Sequence, residues 1–208
     1  MPFRVSCAAW THPGVRHVNE DAFRIGAGVV AVVDSMGAMA SAADLCQRAV
    51  EALVATPDAA VGFQDAARVF EADGTGAGAA AAHLTWTDTH WRFAHLGDVR
   101  ILLVRSGRWR RLTVDHSLAE RHPEVTMPGA EHILMLCIGH RGSEPEIGEI
   151  DALAGDMIVL CTDGLWEILA LDGPLPRAPA SVVAELAESA VLAGISDNAT
   201  VVVVERIA

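Results

Sequence analysis

Between residues 74 and 114 four short β-type runs follow one another with only turn residues between them: GAGAAAAHLTW (76–86), HWRFAHLG (90–97), RILLVRSG (100–107) and RWRRLTV (108–114). Connections as short as Thr87-Asp88-Thr89 and Ser106-Gly107 have no room for a crossover helix, so consecutive strands must pair antiparallel. The alanine-rich first run has a helix-forming composition, but Gly74, Gly76 and Gly78 oppose a helix there. GVVAVVD (28–34) and NATVVVVERI (198–207) are β-branched and lack polar alternation, the pattern of strands buried on both faces. GDMIVLCTDGLWEIL (155–169) reads as a further buried strand running into a turn.

Three helices complete the pattern. SAADLCQRAVEALVA (41–55) places Ser41 and Asp44 at capping-box spacing and repeats Leu45, Ala49, Val50 and Leu53 with helical period. In 56–74, Thr56 is the expected cap, Pro57 the first turn and Asp73-Gly74 the stop, with Phe63, Ala67 and Phe70 inward. A third helix over 181–193 carries Val183, Leu186, Ala190 and Val191 on one side and closes at Gly194. Residues 117–146 are rich in loop signals. Strands outnumber helices and are joined mainly by hairpins, which predicts an α+β fold: a central antiparallel β-sandwich flanked by helices in α-β-β-α layers. With 208 residues, about half of them apolar, the chain is expected to form one domain over 1–208, burying roughly 70% of its unfolded surface.

The net charge of −12 works against nucleic acid and anionic membranes, which demand a basic face, and favours divalent cations. All fifteen basic residues are arginine. That excludes a Schiff-base or Walker-type lysine and leaves phosphate recognition to guanidinium forks or backbone amides. Apolar stretches stop far short of the ~20 residues of a membrane span and MPFRVSCAAW lacks a signal-peptide core, so a cytoplasmic protein is expected. Cys7, Cys46, Cys137 and Cys161 lie far apart in apolar sequence, which suits reduced, buried thiols.

Glu20 and Asp21, Asp34, Asp98, Asp163 and Asp197 stand at turns or at the ends of apolar runs. A lone ionised carboxylate is costly to desolvate in such a place, and only Arg16 and Arg100 are near in sequence. Hard divalent ions accept oxygen ligands from several chain segments, and acids at one end of two packed sheets can converge on one cleft. Two ions about 4 Å apart, bridged by one carboxylate and a water, form a hydrolytic centre of the in-line type. A single Asp-Gly or Asp-Asn pair is more often a plain turn.

The ordered set of segments resembles the PPM family of metal-dependent serine/threonine protein phosphatases, also called protein phosphatase 2C, in particular its compact bacterial members. GVRHVNEDAF is similar to the family's arginine and NED motif, VVAVVDSMGAMAS to its D-G-M-G-G segment, and GTGAGAAAAHL to the following Gly-Thr strand. FAHLGDVRILLVRSGRWRRLTVDHS resembles the G-D-S-R strand, hairpin and L-T-x-D-H-S segment; GDMIVLCTDGLWEIL and SDNATVVVV resemble S-D-G-L-W-D and D-N-x-T-V-V-V. The resemblance implies hydrolysis of phosphoserine and phosphothreonine by direct attack of metal-activated water, with no phospho-enzyme. It implies two Mn2+ or Mg2+ ions and, in bacterial relatives, a weaker third. Asp34 would bridge, Asp163 and Asp197 would complete the first ion's shell, and Glu20 with the Ser35 carbonyl would serve the second. Asp98 would join Asp163 at the third. Asp21 would orient the attacking water, Arg16 would clamp the substrate phosphate, and Asn198 would hold the Asp197 loop. The implied partners are a phosphorylated protein substrate and a Ser/Thr kinase or its targets, with the protein itself a monomer.

Departures from the family pattern carry their own expectations. D-G-M-G-G is here Asp34-Ser35-Met36-Gly37-Ala38, and the Ser35 carbonyl serves only if the position does not demand positive φ. G-D-S-R has become Gly97-Asp98-Val99-Arg100, losing a hydroxyl expected near the cleft. Met36 replaces the histidine proposed as general acid in eukaryotic relatives. Residues 118–147 take the place of the family's flap and contain His122, His132 and His140, one of which could donate the proton because imidazole chemistry suits that role, although surface or packing roles are commoner. His12, His17, His83, His90 and His95 show no metal-ligand spacing, and Trp86, Trp91, Trp109 and Trp166 are assigned to packing. Ser35, Ala38 and Val99 motivate an alternative, a pseudophosphatase acting as a phosphoprotein sensor; retention of all the acids weighs against it.

Overall fold

The structure, a computed structural model, describes residues 4–37, 40–170 and 178–207. Its strands are β1 (Val5–His12), β2 (Ala22–Ile25), β3 (Val29–Met36), β4 (Gly78–Trp86), β5 (His90–Leu96), β6 (Arg100–Arg105), β7 (Arg108–Arg111), β8 (Glu146–Asp151), β9 (Met157–Cys161) and β10 (Ala199–Arg206). Three longer helices, α1 (Ala42–Val54), α2 (Ala59–Asp73) and α5 (Pro179–Ala193), are joined by the one-turn helices α3 (Leu118–Arg121) and α4 (Asp163–Trp166). The strands form two antiparallel sheets ordered β1-β10-β9-β6-β7 and β2-β3-β4-β5-β8. At one edge, β1 pairs along its length with β10, from Val5 opposite Arg206 to His12 opposite Ala199.

Side-chain alternation along the central strands builds the layers. In β3, Val30 and Val32 enter the core between the sheets, while Ala31 and Val33 pack under α1 and α2. In β10, Val202 and Val204 face the same inter-sheet core, while Val201 and Val203 pack against Val182, Leu186 and Ala190 of α5. Each such valine contributes roughly 1.5–3 kcal/mol by leaving water. The result is the expected α-β-β-α sandwich. In β4, Ala79 and Ala81 lie under the helices and Ala80 and Ala82 between the sheets, so packing on two close faces overrides alanine's helix preference.

One polar cluster is buried at the end of the sandwich where β9 begins. Asp156 accepts from Arg105 Nε and Nη2 (2.7 Å each), Trp91 Nε1 (3.3 Å) and the Leu153 amide (2.7 Å). Both Asp156 and Trp91 are buried.

Several local expectations are corrected. Ser41 precedes α1 but its side chain caps nothing; its carbonyl accepts from the Leu45 amide. The cap of α2 is Asp58, which accepts from Ala60 and Val61 amides, and Thr56 Oγ1 accepts from the Asp58 amide one step upstream. Pro57 therefore precedes the helix, because the Asp58 side chain takes the first free amides. On α2 the buried face is Phe63, Ala66 and Phe70, with Ala67 at its margin. On α5, Val191 is exposed and Val182 takes its place in the core. Gly74 and Gly194 close α2 and α5 as expected.

Candidate metal centre

Strand register carries the acids to one place. Arg100 and Val201 both stand opposite Cys161, so β6, β9 and β10 are aligned at one end. Asp163 lies two residues past that row, Asp98 and Asp197 a few residues before it. From the other sheet, Asp34 pairs with Ala80. Ala80 is also the residue that Gly97 abuts: a Cβ on Gly97 would fall 2.4 Å from the Ala80 Cβ, at φ +95°. Glycine there lets Asp98 come alongside Asp34.

A cleft of about 280 Å³ is lined by Arg16, Glu20, Asp34, Ser35, Asp163 and Asp197. A hollow of about 310 Å³ shares Asp34, Ser35, Asp163 and Asp197 and adds Asp98 and His132. Thus the structure brings together the sequence-predicted residues of both sheets. Two glycines make the approach possible. A Cβ on Gly14 would lie 2.2 Å from the Asp197 carbonyl oxygen, and one on Gly164 would lie 2.1 Å from that of Asn198.

The acids oppose one another's ionisation. Burial, then the charges of Asp21, Asp163 and Asp98, hold the Asp34 carboxyl well above the usual range. Burial pushes Asp21 up to about 7, against hydrogen bonds from Thr200 and Thr162 that pull it down. Asp98 is pushed to about 7 by burial and then by Asp163 and Asp115. Asp163 is raised by burial and by Asp197. Asp21 Oδ1 is buried without a hydrogen-bond partner.

Ser35 lies in β3, and among the described non-glycine residues only Ser106 has positive φ, so its backbone meets the condition set for the glycine position. Its Oγ donates to Glu20 Oε2 at 2.9 Å, an orienting contact glycine could not supply. Asn198 reaches further than expected. Its Oδ1 accepts from the Glu20 amide (2.7 Å), and its Nδ2 donates to the Pro13 and Val18 carbonyls (3.0 Å each). It stitches the Arg16–Glu20 loop to the Asp197 loop, where its own amide donates to Asp197 Oδ1. Arg16 Nη2 donates to Asp197 Oδ2 at 2.6 Å, with both side chains about half exposed.

Val99 corrects an expectation. It is fully buried between the sheets beside Ile101 and Leu103, so its side chain faces away from the cleft and a hydroxyl there would not have reached it. Ala38 lies outside the described residues. Of the three flap histidines, His132 lines the hollow that adjoins the cleft and shares Asp34, Ser35, Asp163 and Asp197 with it, with Nδ1 3.2 Å from Glu167 Oε1. His122 pairs with Glu124, and His140 lies in a separate hollow against α2. Trp166 does more than pack. Its Nε1 donates to the Asp98 carbonyl (3.1 Å), and its ring lies 3.4 Å from the Arg100 guanidinium, which also grips Asp115. The position of Trp166 three residues after Asp163, with an arginine two after Asp98, was the available sequence signal.

A family model described as Protein phosphatase 2C matches residues 38–197. The serine/threonine protein phosphatase PstP of Mycobacterium tuberculosis is 30% identical over a 225-residue alignment covering 92% of this chain and 43% of that protein. PhpP of Streptococcus pneumoniae is 30% identical over 109 residues, 45% of this chain and 42% of that one. The matches span less than half the length of these curated relatives. Among solved structures, the catalytic domain of PstP in complex with two manganese ions aligns with a TM-score of 0.84 at 26% identity, covering 98% of this chain and 99% of that one. PppA, a regulatory component of the Pseudomonas aeruginosa T6SS, aligns with a TM-score of 0.88 at 25% identity, covering 99% of each. A family match across three quarters of the sequence, on a sandwich whose acids meet in one cleft, means that this chain belongs to the protein phosphatase 2C family.

Proposed function

We propose that the chain is a metal-dependent protein serine/threonine phosphatase. The observation that carries the reading is a cleft in which burial and then neighbouring acids hold the Asp34 and Asp163 carboxyls above their usual range, with a guanidinium at its mouth. All-oxygen donors from several chain segments fit hard divalent ions such as manganese or magnesium, and the buried, unpartnered Asp21 Oδ1 beside them is free to accept from a water on such an ion. Glu20, Asp34, the Ser35 carbonyl, Asp163 and Asp197 would hold two ions, and Asp98 with Asp163 a third. Bound there, such ions supply an activated water and Lewis-acid stabilisation of the phosphoryl oxygens.

The remaining chemistry belongs to the chain. Arg16 has a half-exposed, weakly held partner, so a phosphate dianion can compete for its guanidinium with two parallel hydrogen bonds. Asp21, held by Thr162 Oγ1 at 3.0 Å, orients the attacking water. The substrate is a phosphoserine or phosphothreonine protein, in the setting of a Ser/Thr kinase or its targets. We read the chain as a single catalytic domain, monomeric and cytoplasmic, with 118–147 as a flap. No helix among the described residues is long and apolar enough to cross a membrane.

Calorimetric titration with manganese, run beside turnover of a phosphoserine peptide, tests this reading. Two tight sites with turnover that EDTA removes are expected. Binding without turnover would make the protein a sensor, and no binding would defeat the metal centre altogether.

His132 is our proposed proton donor to the leaving serine or threonine oxygen. His132→Gln should lower kcat about a hundredfold on a phosphoserine peptide, the scale of general acid catalysis, and leave p-nitrophenyl phosphate within about twofold, because an aryl oxide leaves unprotonated. Equal losses on both substrates would assign His132 to positioning instead.

A further inference from the structure

Outside the cleft, His95, His116 and Glu146 bring their potential ligand atoms within 4.8 Å of one another. Both rings are buried, and His95 Nδ1 and His116 Nε2 are buried without hydrogen-bond partners. The trio has the composition of a zinc site, but the backbone fixes tautomers that do not suit one. His95 Nε2 lies 3.0 Å from the Val114 carbonyl, which can only accept, so Nε2 carries the hydrogen and Nδ1 the lone pair. The Gly97 amide donates to His116 Nδ1 at 3.1 Å, so there Nδ1 carries the lone pair and Nε2 the hydrogen. An ion between the rings needs a lone pair from each, and this arrangement offers one. Glu146 is already engaged by Arg121 at 2.5 Å. Burial lowers the pKa of both rings, that of His116 to about 4, and the pair is neutral at physiological pH.

With metal binding set aside, the contacts of His116 point elsewhere. Its amide donates to the Gly97 carbonyl at 2.9 Å while its Nδ1 takes the Gly97 amide, so one residue occupies both polar groups of the Gly97 backbone. Gly97 is backed by Ala80 and is followed directly by Asp98, which is 7% exposed. On its other side the His116 carbonyl accepts from the Met135 amide at 2.7 Å, in the segment whose Leu134 lines the hollow beside Asp98. The His95 ring, 4.5 Å away centre to centre, buttresses the His116 ring.

We propose that His116 is a positioning residue: it clasps Gly97 through ring and backbone together, fixes Asp98 at the cleft, and links that fix to the 133–135 segment. The inference rests on the phosphatase reading of the cleft. Two variants of similar polarity separate the ring's role from its bulk. His116→Asn places an acceptor near the Nδ1 position, whereas His116→Gln places its amide near the Nε2 position and leaves the Gly97 amide without a partner. The measurements are hydrogen exchange at the Gly97 amide and the manganese concentration giving half-maximal turnover.

In the Gln variant, exchange should quicken and the manganese requirement should rise, each by about tenfold, the lower end of what losing a supporting hydrogen bond at a metal site costs. In the Asn variant both should stay near wild type. Equal behaviour of the two variants, or faster exchange with an unchanged manganese requirement, overturns the proposal. So does a zinc ion bound in addition to manganese and lost in both variants. If the unaltered protein shows no turnover, the phosphatase reading fails separately, and exchange together with manganese binding still decides whether His116 holds Asp98.

Discussion

Replacing Asp34 with Asn is expected to cut phosphatase turnover by at least about a thousandfold while making the metal-free protein more stable than wild type at pH 8. The first effect follows from removing the carboxylate that faces both halves of the proposed centre, where charge stabilisation by such groups is commonly worth several kcal/mol in the transition state. The second follows from the raised pKa values. Asp34, Asp21 and Asp98 hold protons more readily in the folded chain than in the unfolded one. The metal-free fold therefore keeps its full stability below the ordinary carboxylate pKa near 4 and loses stability as pH rises through the folded values near 7. The substituted amide carries no charge and relieves its neighbours, so the variant should match wild type at pH 4 and exceed it at pH 8. Manganese should reverse the order, because binding to the folded state adds stability that the variant has forfeited. Melting curves at the two pH values, with EDTA and with manganese, read all four conditions. A variant less stable than wild type in EDTA at pH 8 would contradict the repulsion argument, and undiminished turnover would contradict the catalytic one.

The second large effect lies at the opposite end of β9. Asp156→Ala removes in one step the carboxylate that accepts from the Trp91 indole N–H, the Leu153 amide and the Arg105 guanidinium, leaving Arg105 its bond to the Asp151 carbonyl at 2.6 Å. Arg105 is about a third exposed and regains some water, so the loss should be about 2–4 kcal/mol, below that of a fully buried pair. For a chain of this size that is a fall of roughly 5–15 °C in Tm. Asp156→Asn, which keeps acceptors for Trp91 and Leu153, should lose less. Because the cluster is remote from the acids, kcat of the folded fraction should hold; a fall in kcat without a fall in urea midpoint would show that the cluster supports the cleft instead.

The strands that a reader of the sequence can find are those with two buried faces and those set off by short hairpin turns, such as the arginine-rich β7. β3, β9 and β10 are nearly unbroken runs of Val, Ile, Leu and Ala, and acids at their ends were legible as an ordered set. Three strands have no such signal: β1 is half-buried except at the exposed Thr11, β2 has four residues, and β8, Glu146–Asp151, is a polar edge with no fully buried residue. Their strand state comes from neighbours, which sequence periodicity does not record. The same holds around the cleft. The acids announce themselves by charge, whereas the Trp166 contact to Asp98, the Ser35 hydroxyl on Glu20 and the His116 clasp depend on which backbones meet, and Val99 pointed the other way for the same reason.

The pairing of β1 with β10 also sets an order of events for a nascent chain. Among the described residues β1 has no other sheet neighbour, and Asp197 stands just before β10. Until β10 has left the ribosome, β1 has nothing to pair with and the cleft lacks Asp197, so in a growing polypeptide topology alone keeps the proposed metal centre incomplete.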